Sequence, residues 1–194
     1  MIRRLRDFLL ARRLPAGYRP GLTLGHLLRN LGPVQVQWLE PSVTVIGSAD
    51  LAWRAELREC VQAHLLMHIV TCEFRLNVPA PKEGEVRLEL RHTGTLRRTG
   101  IACVYRGGDE SAFARVRDLV ASDAALLADL MPLDFKRLSL QRRSGQWQVT
   151  MEHMGGSEVV NRMPAFRRYI QLSPGQRSHV LGCLTRLSEV LQGI

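Results

Sequence analysis

Residues 60–79, CVQAHLLMHIVTCEFRLNVP, are the most apolar part of the chain, and the core must form around them. Two periods fit this region. As a helix, Trp53, Leu57, Val61, Leu65 and His68 recur at spacings of three and four and make one buried stripe. Ser48 or Asp50 would then cap its start, because their side-chain oxygens accept backbone N–H groups. As a strand, Trp53, Ala55, Leu57, Val61, Ala63, Leu65, Met67 and Ile69 form an apolar set, set against Arg54, Glu56, Arg58, Gln62 and His64. Composition favours a helix to about Leu66, since Ala, Leu, Glu, Arg and Gln dominate 51–66 and lose little rotamer freedom there. From Ile69 on, β-branched and aromatic residues take over, so a buried strand is expected over 68–78. No Gly or Pro marks the junction, and one bent strand is the alternative.

The same stretch holds the one metal-like spacing. Cys60, His64, His68 and Cys72 recur every four residues. On a helix His64 and His68 share a face and are candidate metal ligands. All four residues cannot join, since Cys60 and Cys72 would lie about 18 Å apart. On a strand even the two His would be roughly 13 Å apart. A site there needs the helix, plus a further ligand such as His153 or Glu73. The competing reading is that these are ordinary core or boundary residues, and no cofactor is expected. A thiol nucleophile at Cys60/His64 or Cys72/His68 would be inert if buried.

Elsewhere the chain alternates helical and extended signals. The sequence MIRRLRDFLLARRL over 1–14 reads as an amphipathic helix, and PAGYRPG over 15–21 as a turn-rich linker. A single α+β domain is expected over 22–194. Thr23 is placed to cap a helix carrying Leu24, Leu27, Leu28 and Leu31, ended by Gly32 and Pro33. Strands are predicted at 34–39, 43–46, 86–92 and 100–106. Asp109 should cap a helix over 110–131, with Ser122 and Asp123 able to split it. Residues 135–142 and 146–152 form a hairpin around Ser144 and Gly145. Short strands follow at 158–161 and 166–172. The final helix is marked by Ser173 and Gln176 at capping-box spacing, Pro174 at its first position, and the stripe Val180, Leu184, Leu187, Leu191.

Charge is uneven. Residues 1–30 carry seven Arg and one Asp, 31–134 carry 11 basic and 14 acidic groups, and 135–194 carry nine basic and three acidic. Basic ends flank an acidic middle, which suits an anionic partner, nucleic acid, or pairing within the fold or across a homo-oligomer. The candidate anion-binding residues are Arg97 and Arg98 in the loop 93–99, with Arg142, Arg143, Arg167 and Arg168. For a nucleic-acid or anionic-surface binder, Arg3, Arg4, Arg142, Arg143, Arg167 and Arg168 should share one exposed face. Glu152, His153 and Glu158 beside Gly155 and Gly156 make a polar cluster open to acid–base work or to simple solvation. No nucleophile elbow, phosphate-binding glycine loop or H-E-x-x-H occurs, so no catalytic residue is assigned and enzymatic activity is disfavoured. The basic start lacks an apolar run with a small-residue cleavage site, and the central uncharged run, 60–72, is too short to span a bilayer. With four scattered cysteines, a reducing cytoplasmic setting is expected.

The pieces LPAGYRPG, HLLMHIVTCEF, LMPLDF and FRRYIQLSPGQ resemble a bacterial protein family of unknown function across the whole chain. That resemblance implies a bacterial cytoplasmic source and carries over no activity or site residue. The expected architecture is α+β: a mainly antiparallel sheet of seven to nine strands, helices packed on one face, and the long C-terminal helix docked on the sheet. A cavity between sheet and final helix would make the chain a non-enzymatic module binding a small apolar or anionic ligand. The alternatives are a binder of nucleic acid or anionic surfaces, and a metal or thiol enzyme centred on His64 and His68.

Overall fold

The structure is a computed structural model that describes residues 14–48, 50, 52–94 and 97–194. The N-terminal helix expected over 1–14 lies outside them except for Leu14, which is in neither helix nor strand. The first described helix is α1 (Leu22–Leu31), followed by β1 (Gln35–Glu40), β2 (Val43–Gly47), β3 (Arg54–Ala63), β4 (Met67–Pro79), β5 (Val86–Thr93) and β6 (Gly100–Gly108). Then come α2 (Glu110–Ser122), α3 (Ala124–Leu130), β7 (Phe135–Arg143), β8 (Gln146–Arg162), β9 (Ala165–Ile170) and α4 (Pro174–Gln192). Among the described residues the nine strands form one antiparallel sheet in the order β1-β2-β3-β4-β8-β7-β5-β6, with β9 paired to the far half of β8. The α+β architecture is as the periodicity predicts, with the helices on one face.

The main departure is at 51–66. Instead of a helix, residues 54–63 form β3, and His64, Leu65 and Leu66 turn the chain into β4. Ala55, Leu57 and Glu59 point to the helix face, while Glu56, Arg58, Cys60 and Gln62 lie on the other. Residues 54–58 pair with β2 on one edge and 55–63 pair with β4 on the other, and this outweighs the modest helix propensity of Ala, Leu and Glu.

The helix face carries the hydrophobic core. Val180, Cys183, Leu184, Leu187 and Leu191 of α4 belong to one buried cluster with Phe74, Leu76, Trp147 and Val149 of the sheet. Among the described residues these side chains pack together at the place expected for a cavity between sheet and closing helix. Ser173 and Gln176 make the capping box, and Pro174 opens the helix. Asp109 caps α2 by accepting from the Ser111 and Ala112 N–H groups, and Asp123 caps α3, so the helical stretch does split at 122–123.

Strand β8 is the spine, and it absorbs the separate strand expected at 158–161. It pairs with β4 along one edge, and with β7 and then β9 along the other. The exchange of neighbours takes place at Gly155 and Gly156. A Cβ on Gly156, whose φ is +84°, would sit 2.8 Å from a Leu27 methyl; one on Gly155 would sit 2.6 Å from Leu172. Glycine here lets the strand bend and α1 come down on it.

Helix α1 departs from the predicted capping. Its N-cap is Gly21, and Thr23 is buried with its hydroxyl on Glu158. The acceptor at this helix start comes from β3: Glu59 takes the Leu24 N–H at 2.8 Å, the Gly21 N–H at 2.9 Å and the Tyr18 hydroxyl at 2.7 Å. A carboxylate at a helix N-terminus also offsets the macrodipole.

Candidate ligand site on the open sheet face

Alternation sends Cys72, Phe74, Met151 and His153 towards the helices, so Thr71, Glu73, Arg75 and Glu152 stand on the open face. Glu73 and Glu152 are register partners on β4 and β8. Like charges directly opposite repel, yet both carboxylates are almost fully covered, with side chains 4% and 9% exposed. Their cover is a layer of long polar side chains. Glu73 accepts from Arg75 and Arg137. Glu152 accepts from the Thr71 hydroxyl at 2.8 Å, the Gln62 amide at 3.3 Å and the Lys136 ammonium at 3.4 Å. Cations and donors compensate each carboxylate, which makes the burial tolerable.

A hollow of about 620 Å³ lies beside this pair. It exists because β5 and β7 stop pairing after Leu90 and Leu138, where β7 carries an irregularity between Phe135 and Arg137. Glu89, Arg91, His92, Phe135, Lys136 and Arg137 line it, with Glu152 at the edge. His92 stacks on Phe135 at 4.3 Å between ring centres. Burial lowers the His92 pKa, which favours the neutral ring, and its Nε2 is 3.2 Å from the Leu130 carbonyl. The side chains of Arg91, Lys136 and Arg137 are each about half exposed. Arg91 gives Nε–H and Nη2–H donors to Glu89, which also holds Arg106; the remaining guanidinium donors are free to face a ligand.

The structure separates the residues singled out by motif. Arg142 is fully buried, lies over the Trp147 ring at 5.4 Å and donates to the Gly84 carbonyl, so it is not exposed to an anion. Arg143 pairs with Glu85. Arg98 is a staple, donating to the Met131 and Leu133 carbonyls and pairing with Asp134, while Arg97 is exposed. Arg167 pairs with Glu158, and Arg168 is exposed. Arg142 and Arg143 face one end of β8, and Arg167 and Arg168 the other, roughly 40 Å away along the strand. The single basic face therefore does not form among these residues; Arg3 and Arg4 lie outside the described residues.

His64 sits in the exposed β3–β4 turn, while His68 is buried in β4. The helical spacing that would have put them on one face is gone. Among the described residues no group of three or more His, Cys, Asp and Glu could hold a metal ion. Burial raises the Cys60 and Cys72 pKa values, Glu73 and Glu152 adding to the effect at Cys60, so neither thiol is primed as a nucleophile. Glu152, His153 and Glu158 are dispersed as well. Glu152 is on the open face, whereas His153 is buried with its Nε2 accepting from the Asp134 N–H, and Glu158 is buried with Arg167 and Thr23.

The family described as Protein of unknown function (DUF3156) matches residues 29–191. The chain belongs to this family. The DUF3156 match takes in every strand and helix described above except the first turns of α1 and the last residue of α4, and thus the whole open-face site. No curated protein and no solved structure matches the chain. Among the described residues no helix is long and apolar enough to cross a membrane.

Alternation would have located the Glu73–Glu152 pair only once β3 was read as a strand and β4 was known to neighbour β8. The β5–β7 split has no local signal, since both strands continue past it with ordinary strand-forming residues.

Proposed function

We propose that the chain is a non-enzymatic binding module for a small anionic ligand bearing carboxylate or phosphate groups. The site is the hollow beside Glu73 and Glu152, on the open face rather than under the final helix. The observation that carries this reading is local charge. Among the side chains that line the open hollow, the cations Arg91, Lys136 and Arg137 outnumber the carboxylates Glu89 and Glu152. Planar guanidinium groups suit bidentate recognition of such anions, and the His92–Phe135 stack supplies a flat wall. The like-charged carboxylates hold Arg137 and Lys136 in place before a ligand arrives, which lowers the ordering cost of binding.

Titration calorimetry of the full chain against inorganic phosphate, citrate and nucleoside monophosphates tests the reading. Binding should weaken with added salt. Arg91→Ala should cost about tenfold in affinity, the equivalent of about 1.4 kcal/mol. Absence of heat and of any thermal shift across the panel, or unchanged affinity in an Arg91→Ala/Lys136→Met variant, refutes it.

A further inference from the structure

We propose that the end of the sheet formed by the β3–β4 and β8–β9 turns docks on the surface of an anionic lipid bilayer. Leu65 is 89% exposed, Leu66 50%, Met163 74% and Phe166 46%. Leu65, Leu66 and Met163 lie in two neighbouring turns that are tied together, the Arg162 N–H donating to the Leu66 carbonyl at 2.8 Å, and Phe166 follows at the start of β9. Large apolar side chains at the tips of paired hairpins form a protrusion, not a groove. A protrusion can enter the head-group region one side chain at a time, where a flat protein partner would leave much of it uncovered.

Charge selects the partner. Residues 60–72 and 159–172 contain no Asp or Glu, but they do contain His64, His68, Arg162, Arg167 and Arg168. Arg162 and Arg168 are exposed and have no ion-pair partner among the described residues. An apolar tip edged by uncompensated Arg matches lipid head groups of negative charge. Leu14 borders the same hairpin, lining a hollow of about 350 Å³ with Val61 and Ala63.

Flotation of the full chain with phosphatidylcholine vesicles, with and without phosphatidylglycerol, is the test. Co-flotation is expected only with the anionic vesicles and should weaken with salt. Leu65→Asp/Met163→Asp, at exposed turn positions, should lower partitioning by about tenfold or more while keeping the wild-type thermal melt. Arg162→Gln/Arg168→Gln supplies a second test that leaves the apolar tip intact, and it too should lower partitioning. Equal flotation with both vesicle types, no flotation, or full binding retained by both variants overturns the proposal. So does a dimer in light scattering that Leu65→Asp/Met163→Asp dissociates, or duplex DNA that competes the vesicles away and binds that variant unchanged.

Discussion

Removing the Glu59 carboxylate should unseat the start of α1. The helix has no side chain of its own at the N-cap, since Gly21 occupies it. Glu59→Ala leaves the Leu24 and Gly21 N–H groups without their acceptor and frees the half-buried Tyr18 hydroxyl. Loss of a capping side chain costs about 1 kcal/mol. A buried donor left unsatisfied costs a further 1–3 kcal/mol or so, and the Leu24 N–H, beneath a fully buried leucine, is the group least able to reach water. The expected total is about 3 kcal/mol, a fall in melting temperature of roughly 6–12 °C for a chain of this size. Glu59→Gln keeps one oxygen acceptor but not the charge facing the helix dipole, and should cost about half as much. Thermal melts give the total, and amide exchange over 22–27 localises it, with Leu24 and Gly25 losing protection first. An Ala variant within about 0.5 kcal/mol of wild type, with Leu24 still protected, would refute the assignment of Glu59 as the cap.

Acid should weaken the fold through its buried imidazoles. His153 and His68 are both held below the ordinary histidine pKa, chiefly by desolvation, with the nearby Arg98 at His153 and Arg167 at His68 adding to it. The unfolded chain takes up these protons near pH 6.5 and the folded chain does so only lower, so stability is intact above that pH and declines below it. Denaturant melts at pH 6.5 and 5.5 should differ by up to about 1 kcal/mol per site; an unchanged difference in His153→Gln would remove His153 from the account. Gly156→Ala combines a left-handed backbone with a 2.8 Å approach to Leu27, and should lower stability by about 2 kcal/mol in the same melts. Wild-type stability in that variant would show that β8 does not need glycine to bend.

The elements that were legible in the sequence are those whose signals are local. Asp109, Asp123 and the Ser173–Gln176 box fix helix starts through hydrogen bonds within four residues, and all three are observed. The hairpin around Ser144 and Gly145 is local in the same way, with Ser144 at φ 51° and Gly145 at φ 69°. What sequence reading misses depends on distant partners. Residues 54–63 satisfy both periods, and only the neighbouring strands β2 and β4 decide between them. Thr23 looks like a cap because its competitor, Glu59, is 35 residues from Leu24. Arg142 reads as a surface charge beside Arg143, but alternation turns it inward onto Trp147. The candidate site is harder still, because it is made by a strand pair that stops early.

The two faces of the sheet use buried charge differently. On the helix face each buried carboxylate helps to build the fold. Glu59 starts α1, and Glu158 joins Thr23 of α1 to Arg167 of β9. Glu73 and Glu152 link strands on the open face, Glu152 through Gln62, Thr71 and Lys136 and Glu73 through Arg137. They stand opposite each other on adjacent central strands, where two β-branched residues would give a more stable ladder without repulsion or desolvation. Their neighbours Arg137 and Lys136 come from the segment where β7 is irregular and leaves β5, so the carboxylates, the cations and the break in pairing meet at one place. The split in pairing opens a hollow beside this compensated pair, which is the place the proposed ligand would occupy.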